Sequence, residues 1–213
     1  MGQTPVISGL YAITADCADT SDLLWQVRRA LSGGVTILQY RNKAAAASLR
    51  LEQATALRGL TREFGILLVV NDDVNLAYQV NADGVHLGAT DTGVKAARMV
   101  LGSQKIIGVS CYNCLFLARE AIAAGADYVA FGSFFSSGVK PDAAKADTEL
   151  LHQARAEFDV PLVAIGGITA LNGASLVDAG AESLAVISAL FGAADIRAAA
   201  QAFTKLFIRN IAP

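Results

Sequence analysis

The sequence predicts an α/β fold, a single (β/α)8 TIM barrel of parallel strands spanning residues 1–213. Three observations predict it. Short β-rich apolar runs alternate eight times with amphipathic Ala/Leu stretches, the order expected of repeated βα units. The runs are apolar almost throughout, which suits a parallel sheet covered on both faces. From the second run onward, polar residues follow each run, and the rim at the strands' C-terminal ends is where a barrel carries its chemistry. The competing arrangement is an open doubly wound sheet, which usually begins with a Gly-rich dinucleotide turn. Leu10-Tyr-Ala-Ile-Thr-Ala-Asp16 offers no such glycines.

The elements follow in order. A strand over Leu10–Thr14 precedes a helix over Ser21–Ser32, which Gly33-Gly34 stops. Val35–Tyr40 runs into Gln39-Tyr40-Arg41-Asn42-Lys43, and the helix Ser48–Phe64 follows. Leu67–Asn71 ends in Asn71-Asp72-Asp73, then a helix over Val74–Val80 reaches the turn Asn81-Ala82-Asp83. Gly84–Leu87 carries His86 and leads to Asp91 and a helix over Thr92–Leu101. Ile106–Ser110 is followed by Cys114–Ala124 and the stop Gly125-Ala126-Asp127. Tyr128–Gly132 runs into Ser136-Ser137-Gly138-Val139-Lys140, ahead of the helix Asp147–Phe158. Leu162–Ile165 ends in Gly166-Gly167, then come Ala170–Ala179 and the stop Gly180-Ala181-Glu182. Leu184–Ile187 meets Ser188, and Asp195–Ile208 is the last helix. Glycine at the stops supplies the left-handed residue that ends a helix and turns the chain back.

Composition narrows the class. Apolar residues make up 54% of the chain and charged residues 17%, so the core is large and the charged surface thin, with room for a homo-oligomer contact. The net charge is −2 with both signs mixed, unlike a nucleic-acid-binding stripe or a basic membrane-seeking face. Mean hydropathy is positive, yet stretches such as Ile66–Val70 are strand-sized, far from the roughly 18 residues of a membrane span. MGQTPVISGLYAITAD lacks a basic segment followed by an apolar one, so the cytoplasm is the expected location. Cys17, Cys111 and Cys114 do not make a disulfide framework. A metal site on Cys111-Tyr-Asn-Cys114 would need more ligands than Cys17, His86 and His152 offer, and reduced thiols are expected.

Chemistry is expected at the strand ends. Gln39-x-Arg41-x-Lys43 points three side chains one way from an extended segment, and an amide with two cations can hold a polyanion; a solvated strand end reads equally well. Asp72 and Asp91 follow successive strands and can face each other across the rim. Such hard oxygen ligands suit Mg2+, which shares phosphate oxygens with a substrate. Helix capping is the alternative, and one of Asp72 and Asp73 is expected to be a cap. Asn71 offers a donor and an acceptor to a pyrimidine, or is a turn residue. Gly166-Gly167-Ile168 with Ile187-Ser188 fits the phosphate site of barrels, where backbone N–H groups receive the anion; structural turn glycines are the alternative. No Ser/His/Asp or Cys/His set offers an activated nucleophile.

In order and spacing, GGVTILQYRNK, VVNDDVNLA, ADGVHLGATD, GVS, GADYVAFGS, AIGGI and AVISALF resemble the thiamin phosphate synthase (thiamin-phosphate pyrophosphorylase) family. The resemblance runs from LYAIT to ISALF. It implies a transferase that joins an aminopyrimidine diphosphate to a thiazole phosphate, releasing pyrophosphate with Mg2+ as cofactor. Gln39, Arg41, Lys43, Asn71, Ser110 and Lys140 would bind the pyrimidine diphosphate, with Arg41, Lys43, Ser110 and Lys140 acting on the leaving group. Asp72 and Asp91 would ligate Mg2+. Ser137, Gly138, Val139, Gly167, Ile187 and Ser188 would hold the thiazole phosphate. His86 itself reads as a residue that acts through its neighbours or is structural. The chain departs from the family's P-T-x-T-K at Ser136-Ser137-Gly138-Val139-Lys140, where Val139 replaces a threonine; a weakened or rearranged thiazole contact is expected. A thiazole tautomerase of the same family and a non-catalytic sensor are the rivals. Both are expected to lack part of the set Lys43, Asp72 and Asp91, which this chain keeps.

Overall fold

Every strand is covered on both sides, and that requirement closes the sheet. The computed structural model describes residues 6–88, 93–136 and 146–208. Its strands are β1 (Gly9–Ile13), β2 (Val35–Tyr40), β3 (Leu67–Asn71), β4 (Gly84–Leu87), β5 (Ile106–Tyr112), β6 (Tyr128–Phe131), β7 (Leu162–Ile165) and β8 (Ser183–Val186). They pair in parallel in sequence order, and β8 returns to β1 to close the barrel. The helices are α1 (Thr20–Leu31), α2 (Ala47–Phe64), α3 (Val74–Gln79), α4 (Val94–Leu101), α5 (Leu115–Ala123), α6 (Thr148–Glu157), α7 (Ala174–Asp178), α8 (Ser188–Phe191) and α9 (Ile196–Ile208).

Alternate residues along each strand point to opposite faces. Tyr11, Ile37, Val69, Ile106, Tyr128 and Val163 fill the barrel interior. Their neighbours Leu10, Leu38, Leu68, Ile107, Val129 and Leu162 pack outward beneath the helices. Two apolar faces make each strand read as an unbroken apolar run. Gly125 and Gly180 take φ +97° and +108° where the chain leaves a helix; Asn81 does the same at φ +49°, a conformation Asn tolerates better than most residues. Among the described residues no helix is long and apolar enough to cross a membrane.

Two elements differ from expectation. The helix expected over Ala170–Ala179 is only Ala174–Asp178. Thr169 and Asn172 close a turn on each other, Thr169 N–H donating to Asn172 Oδ1 at 2.8 Å and Asn172 N–H to Thr169 Oγ1 at 3.3 Å. Local side-chain bonds of this kind compete with the helix ladder. The second difference is the short helix α8, which opens at Ser188, with Ile187 alone between it and the end of β8.

The residues that stop three of the helices also brace the barrel's base. Asp83, Asp127 and Glu182 each accept from a backbone N–H at the start of the strand before, at Leu68 and Ile107, the second residues of their strands, and at Leu162, the first of its own. Each is also gripped by an arginine from a surrounding helix, namely Arg58, Arg98 and Arg155. The same clamp thus recurs every second strand at the N-terminal end, which leaves the opposite rim free for chemistry.

Cys111 faces the outer layer and is fully buried, and burial pushes its thiol up to about 12. The fold therefore favours the neutral thiol. Its contribution to stability is intact below the ordinary thiol value of about 8.5 and is lost as pH rises toward 12. At pH 8 a thiol reagent is expected to label Cys17 and Cys114, which are half-buried, and to reach Cys111 only after denaturation. Counting titrated thiols in native and unfolded protein checks this; three fast thiols in the native chain would refute it.

Candidate active site

The ends of β1 and β2 are fastened together, and this fastening aims the cations. Thr14 Oγ1 donates to the Arg41 carbonyl and accepts from Arg41 N–H, both at 2.8 Å. Asp16 Oδ1 accepts from Arg41 Nη1 at 3.1 Å and from Lys43 N–H at 3.0 Å. Beneath them Gln53, fully buried on α2, accepts through Oε1 from the Tyr40 hydroxyl at 2.9 Å and from Asn42 Nδ2 at 3.0 Å. Its Nε2 donates to the Cys17 carbonyl at 3.0 Å. The segment Arg41–Lys43 is therefore held by backbone and side-chain bonds before any ligand arrives, which lowers the cost of ordering it on binding.

The end of β3 divides its two carboxylates. Asp72 sits at φ +61°, in the left-handed region that Asp and Asn visit more readily than most residues. Its N–H donates to the His86 carbonyl at 2.8 Å, and its carboxylate accepts from Asn71 Nδ2 at 2.6 Å. Lys43 Nζ lies 3.4 Å from Asp72 Oδ2. Asp73 turns the other way: its Oδ1 accepts from Leu76 N–H at 2.9 Å and caps α3, and its Oδ2 is 3.5 Å from Arg50 Nη1. Asp73 is thus the cap of the pair. Arg41, Lys43, Arg50, Asn71 and Asp72 line one pocket at the ends of β2 and β3. Each of its cations is paired with one carboxylate, Arg41 with Asp16, Lys43 with Asp72 and Arg50 with Asp73.

Gln39 does not stand on the rim with Arg41 and Lys43. It points into the barrel and is 3% exposed, because the alternation of the strand turns it inward while the two cations lie beyond the strand's end. Its Nε2 donates to the Tyr11 hydroxyl at 2.8 Å. From there hydrogen bonds cross the barrel: Tyr11 to Tyr128 at 2.9 Å, Tyr128 to His86 Nδ1 at 2.9 Å, and His86 Nε2 to Ser110 Oγ at 2.9 Å. Burial pushes the Tyr11 phenol up to about 12 and that of Tyr128 well above its ordinary value. Both keep their protons at neutral pH.

On the other side, β7 and β8 run side by side. Gly167 has φ +63°, and a Cβ there would lie 2.6 Å from the carbonyl oxygens of Phe135 and Ser136, so only glycine lets the β6 and β7 loops meet. Ser188 opens α8 directly after Ile187, and the first N–H groups of a helix have no carbonyl one turn back to bond. Gly167, Ile187 and Ser188 thus share the rim of the other candidates. Asp91, Ser137, Gly138, Val139 and Lys140 lie outside the described residues.

The chain matches the family described as Thiamine monophosphate synthase over residues 10–190. It belongs to that family. It is 54% identical over 199 residues to the thiamine-phosphate synthase of Thiobacillus denitrificans, covering 93% of this chain and 94% of the other. With the thiamine-phosphate synthase of Methylobacillus flagellatus it shares 54% identity over 203 residues, 95% and 97% of the two chains. Among solved structures it resembles the thiamine phosphate pyrophosphorylase of Pyrococcus furiosus with a TM-score of 0.86 and 37% identity, over 96% of this chain and 97% of that one. The thiamine monophosphate synthase family is the one the motifs GGVTILQYRNK to AVISALF suggested. Sequence reasoning missed Thr14, Asp16, Arg50 and Gln53, which hold or extend this family member's rim cations, and Tyr11 and Tyr128, which join Gln39 to Ser110. The first two carried a signal: in a barrel, polar residues after one strand face those after the next.

Proposed function

We propose that this chain condenses 4-amino-2-methyl-5-hydroxymethylpyrimidine diphosphate with 4-methyl-5-(2-hydroxyethyl)thiazole phosphate, giving thiamin phosphate and pyrophosphate. The observation that carries the reading is the pocket joining Arg41 and Lys43 to Asn71 and Asp72, in a chain of this family. Arg41 offers a planar fork to phosphate oxygens and Lys43 a point charge. Ser110, and by resemblance Lys140, would complete the diphosphate contacts. Asn71 and Gln39 would orient the pyrimidine, and Gly167, Ile187 and Ser188 would receive the thiazole phosphate with the segment Ser137–Val139.

Asp72 fits a role in holding Mg2+. Its carboxylate is a hard oxygen donor, 30% exposed and beside Lys43, and Mg2+ needs only one or two carboxylates when phosphates and water supply the rest. Asp72 and Asp91 would hold the ion, which when bound supplies positive charge to the diphosphate. The residues themselves gather charge at the leaving group instead of activating a nucleophile. An electron-rich aminopyrimidine stabilises positive charge on its methylene carbon, so departure of pyrophosphate runs ahead of attack by the thiazole nitrogen. The rim then contributes by stabilising the departing anion and holding the two rings in line.

The test is pyrophosphate release from purified protein, with each substrate alone and with both, with and without Mg2+. Release requiring both substrates and Mg2+ is the expected result. Binding without release would make the chain a sensor. Isomerisation of a thiazole carboxylate phosphate without use of the diphosphate would make it a tautomerase.

A further inference from the structure

The hydrogen bonds inside the barrel have a direction, and it is set at the Gln39 end. An amide nitrogen only donates, so the Tyr11 oxygen accepts from Gln39 Nε2. Tyr11 is 1% exposed, and a buried hydroxyl hydrogen left without an acceptor is costly. Among the described residues the Tyr128 oxygen is its remaining partner. Having accepted from Tyr11, Tyr128 gives its own hydrogen to His86 Nδ1. A neutral imidazole whose Nδ1 accepts carries its hydrogen on Nε2, and that nitrogen faces Ser110 Oγ. Ser110 therefore accepts from His86, and its own hydrogen is left to point elsewhere.

We propose that Tyr11, Tyr128 and His86 are positioning residues that make Ser110 a hydrogen-bond donor to a phosphate oxygen and leave Gln39 Oε1 as an acceptor for the pyrimidine's amino group. This rests on the reading of Ser110 and Gln39 as contacts to the pyrimidine diphosphate. The polarity suits that substrate at both ends, since a phosphate oxygen only accepts and an exocyclic amino group donates. The barrel is also built around the chain of bonds. In the strand register Gly108 lies between His86 and Tyr128, and a Cβ on it would sit 1.9 Å from Tyr128 Cζ. The absent side chain is the space the Tyr128 ring fills, stacked on His86 with centroids 5.6 Å apart and planes 22° from parallel.

Nitrogen-15 NMR of the full chain labelled at histidine reads the direction without any turnover. There are two histidines, and His152→Gln assigns the signals. At pH 8 His86 is expected as the neutral ring protonated on Nε2, with that preference weakened in Tyr128→Phe. Binding of inorganic pyrophosphate with Mg2+ is expected to weaken about tenfold in Tyr128→Phe and in Ser110→Ala, the scale of one hydrogen bond to a charged group. The double variant should be no weaker than Ser110→Ala alone, since both act through one hydroxyl. His86→Gln, whose amide nitrogen can stand in for Nε2–H, should bind better than His86→Ala. A wild-type ring protonated on Nδ1, or fully additive losses in the double variant, overturns the proposal even if other variants fold poorly. An Nε2-protonated ring with these binding losses, but no turnover of the pyrimidine diphosphate, would instead sink the synthase reading and leave the positioning role standing.

Discussion

Arg41→Ala is expected to lower kcat/KM for pyrophosphate release by about 10²- to 10³-fold, the scale for removing a donor aimed at developing charge. The melting temperature should move by no more than about 3 °C, because a partly exposed ion pair stabilises by about 1 kcal/mol or less. Arg41 earns this separation from its setting. Its backbone is held by Thr14, so the side chain can be lost without loosening the strand end, and Nη1 leans on Asp16. Arg41→Lys should recover only part of the loss, since a point charge cannot replace a two-pronged contact. Asp16→Asn weakens the hold on both Arg41 and Lys43 and is expected to raise KM by a smaller factor than Arg41→Ala raises it. Steady-state kinetics with both substrates, alongside thermal melts, separates these outcomes. An Arg41→Ala enzyme at wild-type efficiency would remove the cation from the diphosphate site.

How far the molecule could be read from its letters depends on the range of the physics involved. Strand and helix alternation is local, and burial of both strand faces writes itself into runs such as Leu67–Val70 and Leu162–Ile165; the barrel followed from those. Helix stops are local too, at Gly125, Gly180 and Asn81. The short α7 was not foreseen because a 3.6-residue pattern does not reveal that Thr169 and Asn172 bond each other. The rim candidates were legible because barrels put strand ends on one face, so Arg41, Asn71, Asp72, Ser110, Gly167 and Ser188 could be named from position alone. The bonds that connect them were not. Tyr11 and Tyr128 are 117 residues apart and look like ordinary aromatic strand residues, and Gln39 gives no sign in the sequence that it turns inward while Arg41 stays on the rim. Asp83, Asp127 and Glu182 read as turn residues, whereas their grip on the preceding strand needs a helix arginine that only the closed barrel brings near.

Exchanging the roles of two adjacent carboxylates is the sharper test of the rim. Asp72→Asn keeps a side chain that tolerates φ +61° and removes only the charge, so stability should stay close to wild type. Half-saturating Mg2+ is expected to rise by more than tenfold and turnover at limiting Mg2+ to fall by at least as much, since loss of even an outer partner of a metal ligand costs about 10- to 100-fold in affinity. Asp73→Ala should do the reverse. It loses the bond to Leu76 N–H that caps α3, worth about 1 kcal/mol, and with it about 2–4 °C of melting temperature in a chain of this size, while the Mg2+ requirement hardly moves. Asp72→Ala would mix the two effects, because alanine in a left-handed position adds strain of about 1–2 kcal/mol, so asparagine is the variant that isolates the charge. Measuring the Mg2+ dependence of turnover and the melting temperature on both variants distinguishes a metal carboxylate from a helix cap one residue away. If Asp73→Ala were the variant that needed more Mg2+, the left-handed turn at Asp72 would be aiming the wrong side chain, and the assignment of Asp72 to the diphosphate would have to be withdrawn.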